Sequence, residues 1–343
     1  MRIRFFQNRV QLFLLFLMSL VLFSCTKKAM PPQTRIVMNT VCSVNAYFDG
    51  TDALYSEIFS RLFDIETVFS ATISTSELSE INRCAGEKGV LASDEMIYVL
   101  DVALKIARLT NGAFNPALNP LISLWGVNTD SAHVPSSEEM HAVFPLVDFS
   151  DVLIDGKTVF LAKKGMSLNL GGIVKGYAAD CVVEILKAHA VKKAVVDLGG
   201  NISVYGEKAN GEKWTVGVKN PFDKNAPPLV RLSVFETSVV TSGAYQRFFK
   251  KDGALYHHII DAKTGFPAKT GLASTTVIAP LSIVADGLST AAFVLGEERT
   301  LALKDDFEKS FGIAIDFVFI RDDMSVSFSD GIEDAVAVMK KNR

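Results

Sequence analysis

Lys192-Lys193-Ala194-Val195-Val196-Asp197-Leu198-Gly199-Gly200-Asn201 is the stretch on which the fold class turns. Lys192 to Val196 is β-rich, and the glycine pair after it reads as a tight turn, because glycine enters backbone conformations that other residues avoid. Working outward, further β-rich pieces fall at Arg35 to Phe48, Thr158 to Leu161, Leu229 to Val234, Tyr256 to Ile260 and Thr275 to Ile278. Helical apolar spacing marks Thr51 to Phe69 and Asp94 to Leu109, while Ser282 to Leu295 and Thr300 to Phe311 also read as helices. Strands and helices mix without the regular alternation of a doubly wound sheet, so the pattern predicts an α+β fold with mostly antiparallel sheets. No Gly/Ser-rich or charge-rich linker divides the chain, which points to one domain, at most bilobal.

Residues 1–24 carry Arg2, Arg4 and Arg9 with no acid, followed by the apolar run Leu12 to Phe23. That order of charge and apolarity is the order of a secretory signal, and the run is short for a membrane span. It ends Leu22-Phe23-Ser24-Cys25, which resembles a bacterial lipobox and makes Cys25 the lipidated first residue of the mature chain; the alternatives are a plain signal peptide or an uncleaved anchor. Residues 25–34 then read as a tether, leaving 35–343 as the folded domain. Removing the three signal arginines and no acid takes the formal net charge from −3 to −6, which argues against nucleic acid as a partner. Cys42, Cys84 and Cys181 are too widely spaced for a metal cluster and read as small buried hydrophobes.

The common nucleotide signatures are absent. Gly171 and Gly176 have the outer spacing of a phosphate loop, but Tyr177-Ala178 stands where Lys-Ser/Thr is needed. Leu168 to Asp180 offers another route to a phosphate. Ile173, Val174, Tyr177, Ala178, Cys181, Val182, Ile185 and Leu186 recur on one helical face, so a helix begins just after Gly171-Gly172 and its bare amides can receive an anion. Lys175 in the first turn opposes the helix dipole unless an anion sits there; the plainer reading is that the glycines permit close packing and Lys175 is solvated. Asp286 and Thr290 lie four residues apart, hence on one helix face, and offer oxygen ligands suited to Mg²⁺, though such a pair also serves as an ordinary solvated helix start. His257 and His258 point to opposite sides of a strand, so at most one faces a site, where it is the natural base near neutral pH. Asp261 to Pro267 has the Asp, Gly and Pro of a turn.

Together these residues resemble the ApbE family, flavin transferases that move FMN from FAD onto a hydroxyl of a target protein. The resemblance runs from about Met38 to Gly296 through Met38-Asn39-Thr40, Ser76-Glu77-Leu78-Ser79 with Asn82, Gly112 to Pro116, Leu124-Trp125-Gly126, Gly171 to Asp180, Asp197 to Asn201, Thr241-Ser242-Gly243, His258 to Pro267 and Ala285 to Thr290. It implies a T-fold-like bilobal single domain with flanking helices, and FAD as substrate in a site between the lobes. By the same resemblance, Asp286, Thr290 and a backbone carbonyl near Val174 would hold Mg²⁺, and His258 would be the base. Met38, Trp125, Lys175, Asp180, Asp261 and Thr264 would lie around the dinucleotide. The partners so implied are exported target proteins with a flavinylated Thr or Ser, such as redox-pump subunits, met by a periplasm-facing lipoprotein anchored to the inner membrane. Two positions depart from the family pattern: Asn39 replaces a glycine, and Thr72 stands where many relatives have an aromatic ring. A looser flavin site would admit water, so Mg²⁺-dependent hydrolysis of FAD to FMN and AMP is the alternative reaction, and a lipoprotein that only binds FAD is the non-catalytic one.

Overall fold

A computed structural model describes residues 29–208 and 211–339. The signal segment and Cys25 lie outside the described residues, and Gln33 and Thr34, read as tether, belong to the first strand. Among the described residues no helix is long and apolar enough to cross a membrane.

The centre is an eight-stranded sheet in the order Gln33–Val37, Thr40–Asn45, Lys193–Leu198, Asn201–Gly206, Thr237–Gly243, Leu272–Ala279, Asp316–Arg321 and Val326–Phe328. Every pairing in it is antiparallel. The strand at Lys193 turns directly back on itself, with Leu198 opposite Asn201 and both Gly199 and Gly200 at positive φ (69° and 94°). The α+β expectation is met, and this tight turn stands where a parallel pair would need a crossover helix.

One face of the sheet is covered by helices. In Asp52–Phe69 the buried residues Leu54, Ile58, Leu62, Ile65 and Phe69 repeat at three- and four-residue steps, and Thr51 caps the helix by accepting from the Leu54 amide at 3.1 Å. Asp94–Leu109 is capped in the same way by Ser93. Val174–Ala188 and Ser282–Leu295 lie closest to the sheet and cross each other. The crossing is tight because Gly176 has no side chain: a Cβ there would stand 2.3 Å from the Ser282 carbonyl oxygen. The opposite face, at Val204, Val239, Ala273, Val318 and Ile320, is covered by a three-stranded sheet of Trp214–Val218, Val230–Val234 and Val336–Val338. A smaller apolar cluster gathers Leu118, Leu121, Trp125, Met140, Val147 and Ile260 under a free two-stranded hairpin, Phe248–Lys251 with Ala254–His257.

Three element boundaries differ from the sequence reading. Arg35 to Phe48 is not one strand but a hairpin, because Met38 and Asn39 both adopt left-handed backbone (φ 53° and 54°), the pair a two-residue turn requires. Thr300 to Phe311 is broken at Leu303 into Glu297–Ala302 and Lys304–Phe311, the Leu303 amide bonding back only three residues to the Thr300 carbonyl. Tyr256 to Ile260 leaves its ladder after His257, and Ile260 pairs instead with Pro267 across the following turn.

Candidate active site

A cavity of about 420 Å³ opens at the end of the large sheet, within the range for small-molecule sites. The Met38–Thr40 turn, the Gly171-Gly172 segment, the end of the Thr237–Gly243 strand, the hairpin root at Arg247 and His258, and the Ser282–Leu295 helix all contribute to its wall.

The centre of that wall is Asp286. It is 3% exposed and its Oδ2 accepts the Gly176 amide at 2.9 Å. The anion received by the start of the Val174–Ala188 helix is thus this carboxylate, in accord with the positive end of the helix dipole. Lys175 is part-buried and not unopposed: its ammonium donates to the Gly171 carbonyl at 3.0 Å and lies 3.5 Å from both Asp286 oxygens. Thr290 lies one turn further along and shares the cavity, with its hydroxyl 3.2 Å from Ser242 Oγ. Ser242 also bonds Ser289 at 2.8 Å, so the strand and the helix are pinned by hydroxyls beneath the site.

Whether these residues suit a magnesium ion is a question of donors. Asp286 uses one oxygen for an amide and faces one ammonium, and a carboxylate has about four lone-pair positions. Thr290 Oγ supplies a second hard oxygen, and the backbone beside it is that of Gly172, where a Cβ would stand 3.4 Å from Thr290 Oγ1. Val174 lines the same cavity two residues on. A carboxylate, a hydroxyl and a backbone carbonyl between Gly172 and Val174 are an oxygen set that fits Mg²⁺, which keeps the rest of its shell as water.

His258 lines the same cavity as Asp286. Its amide and its Nδ1 both meet the Arg247 carbonyl, at 3.1 and 3.2 Å. A carbonyl only accepts, so Nδ1 carries the proton and Nε2 keeps a lone pair. Burial pushes the imidazole down to about 4; the Arg247 carbonyl works against this, and the charges of Arg247 and Lys175 add to it. At neutral pH His258 is therefore uncharged and able to accept a proton. His257 turns the other way, buried with Nε2 3.0 Å from the Ala268 carbonyl and its ring edge-on to Phe293.

The remaining expected residues divide. Met38 lines the cavity, its amide donating to Glu66 Oε1 at 2.8 Å. Trp125 also lines the cavity, its side chain otherwise buried; its indole N–H donates to the Gly265 carbonyl at 2.7 Å and its ring meets Tyr256 and Phe266. Asp261 and Thr264 stand in the turn that Trp125 supports and do not reach the cavity wall: Asp261 Oδ1 accepts from the Lys263 amide at 2.9 Å and Thr264 Oγ1 from that of Phe266 at 3.3 Å. Asp180 also lies off the cavity. Its two oxygens accept the Ser282 and Ile283 amides at 2.8 and 2.9 Å, capping the helix that carries Asp286, and burial raises its carboxyl to about 6 against those two bonds.

Several lining residues escaped the sequence reading, Gln246 and Arg247 at the hairpin root among them. Glu66 fell within the helical stretch Thr51 to Phe69 and was not singled out. Asn201 was read as part of a turn, yet it is 1% exposed, its Oδ1 accepts from Ser282 Oγ at 2.8 Å, and its amide nitrogen has no partner.

Known proteins resemble this chain in both sequence and fold. Residues 38–313 match the ApbE family. A FAD:protein FMN transferase of Treponema pallidum is 40% identical over 326 residues, covering 90% of this chain and 89% of its own length. Another from Klebsiella pneumoniae is 34% identical, covering 77% of this chain and 83% of its own. Among solved structures, the ApbE protein of Thermotoga maritima superposes with a TM-score of 0.79 at 28% identity, covering 89% of this chain and 98% of its own. The flavin transferase ApbE of Vibrio cholerae gives 0.76 at 25% identity, with the same two coverages. On these grounds the chain belongs to the ApbE family.

Proposed function

We propose that this protein is an FAD:protein FMN transferase. The observation that carries the reading is one cavity lined by a buried carboxylate beside a lysine and by a histidine kept neutral with one nitrogen free. In the reaction, a Thr or Ser oxygen of a target protein attacks the FMN-side phosphorus of FAD. A new phosphoester bond forms, the pyrophosphate P–O bond breaks, and AMP leaves with the bonding pair. His258 Nε2 takes the hydroxyl proton, its own orientation set by the Arg247 carbonyl; general-base help of this kind is worth roughly 10²–10⁴-fold. Lys175 sets a positive charge beside the pyrophosphate. Asp286, Thr290 and the Gly172–Val174 carbonyls would hold Mg²⁺, which supplies neutralisation of the phosphate charge when bound. The cellular setting belongs to the same proposal: Cys25 as the lipid anchor of a periplasm-facing enzyme on the inner membrane, serving exported redox-pump subunits.

Hydrolysis of FAD to FMN and AMP is the second reading, favoured by one position. Thr72 lines the cavity, and a small polar side chain there leaves room for water. Incubating the chain from Thr26 onward with FAD and Mg²⁺, with and without an acceptor protein, separates the cases. An acceptor heavier by one FMN with little free FMN establishes the transferase; AMP and free FMN with an unmodified acceptor establish the hydrolase, and intact FAD leaves binding alone.

A further inference from the structure

The free hairpin has features that holding FAD does not account for. Phe248–Lys251 and Ala254–His257 pair only with each other among the described residues, so each strand presents an unpaired backbone edge. One face is committed: Phe249 and Tyr256 stack at 5.4 Å between centroids and pack on Trp125. The other face is buried only at His257 and is open beyond it, with Phe248 and Leu255 40% and 43% exposed next to Lys250, which is also exposed. From Gln246 to Tyr256 the hairpin carries Arg247, Lys250 and Lys251 against a single acid, Asp252, within a chain whose net charge is −3. At its root, Gln246, Arg247 and His258 line the cavity.

An exposed apolar pair is costly for a free surface, and an unpaired strand edge beside it invites another chain. The transferase reading supplies an occupant. Its second substrate is a polypeptide, whose hydroxyl must reach the phosphorus next to His258, so the protein substrate has to cross the rim of this cavity. We infer that the Phe248–His257 hairpin is the docking element for the acceptor protein, and that it takes an extended, net acidic segment bearing the acceptor hydroxyl. The backbone of that segment would add to a hairpin edge, as strand-adding ligands do, with apolar side chains on Phe248 and Leu255 and acids facing Lys250 and Lys251. Because the same hairpin root holds Nδ1 of His258, a segment seated on it lies next to the base.

This inference rests on the transferase reading, and one experiment separates them. The acceptor protein modified by the Vibrio cholerae relative serves as probe, with the chain from Thr26 onward as enzyme. Acceptor mass, AMP and FAD affinity are followed for the parent, for Lys250→Glu/Lys251→Glu and for Phe248→Ser. All three are expected to bind FAD alike, which also checks folding. Both variants are expected to lose about tenfold or more in kcat/KM for the acceptor through KM, the charge reversal losing most at low salt and least at high salt. Parent-like KM in both variants overturns the docking inference while leaving the transferase intact. A parent that releases AMP without ever modifying the acceptor overturns the transferase reading, and the inference with it.

Discussion

Two hairpins meet at the same cavity and are built to opposite plans. Both close through two left-handed residues, Met38-Asn39 in one and Asp252-Gly253 in the other. The first continues into the eight-stranded sheet through Thr40–Asn45, and Met38 is tied to the Asp52–Phe69 helix through Glu66. The second pairs with nothing beyond itself and shows a basic, partly apolar face to solvent. The integrated hairpin fixes the shape of the cavity, whereas the free one fixes His258 and exposes what a protein substrate would touch. Asp286, Thr290 and Lys175 sit on the two helices packed against the sheet, while the appendage holds the histidine at its root and carries the face inferred to meet a partner.

The largest test of that division is at the root of the free hairpin. His258→Ala is expected to slow FMN transfer by roughly 10²–10⁴-fold while FAD still binds, read from the rate of AMP release at saturating FAD. Loss of FAD binding in step with rate would mean that the histidine holds the substrate rather than taking its proton. On the integrated hairpin, Glu66→Ala removes the carboxylate from the Met38 amide. A charge-assisted bond is worth about 1.5–3 kcal/mol, so FAD affinity should fall by roughly tenfold or more with kcat for bound FAD nearly kept. Equal affinity in parent and variant would show that the turn holds its shape without this tie.

A smaller effect comes from two groups whose pH responses oppose. The Asp180 carboxyl sits at about 6 against an ordinary 3.8, so the folded state keeps its proton more tightly; that contribution is full below about 3.8 and is lost as pH rises through 6. His258 sits at about 4 against 6.5, so its contribution is present above 6.5 and is lost as pH falls through 4. Between pH 4 and 6.5 the two largely offset each other. In His258→Asn only the Asp180 response remains, and the urea midpoint should rise, relative to the parent, as pH is lowered across that window. Parallel profiles would place the pH response elsewhere. Smallest of all, Asn39→Gly puts glycine at a φ of 54°, a conformation that glycine and asparagine both tolerate. Stability should shift by no more than about 0.5 kcal/mol and FAD affinity should not change, checked by thermal melts with and without FAD.

What the sequence made legible follows from how local each signal is. Thr158–Leu161, Asp94–Leu109 and Ser282–Leu295 lie where apolar spacing placed them. The Met38-Asn39 turn was hidden because the residues on both sides favour strands and methionine carries no turn signal. The Asp252-Gly253 turn carried a strong one and went unread. At the site, Asp286, Thr290, Lys175, Met38, Trp125 and His258 line one cavity, while Asp180, Asp261 and Thr264 support elements around it. Short polar motifs thus mark which segments converge, but not which side chain faces inward. Asn201 and Glu66 face the cavity through pairings 81 and 28 residues away in sequence, with Ser282 and Met38, a distance that no local pattern spans.

The bare contact between Gly176 and Ser282 has a consequence of a different kind. The spacing of Lys175 from Asp286 is set there by main chain against main chain, with the Gly176 amide bonded to the Asp286 carboxylate. Such a gauge does not depend on the size of any side chain. The residues packed around the two helices are free to drift in volume and identity over evolutionary time while the charged pair keeps its separation, so long as position 176 stays glycine. Homologues can thus diverge through most of their core and still present the same distance to a pyrophosphate.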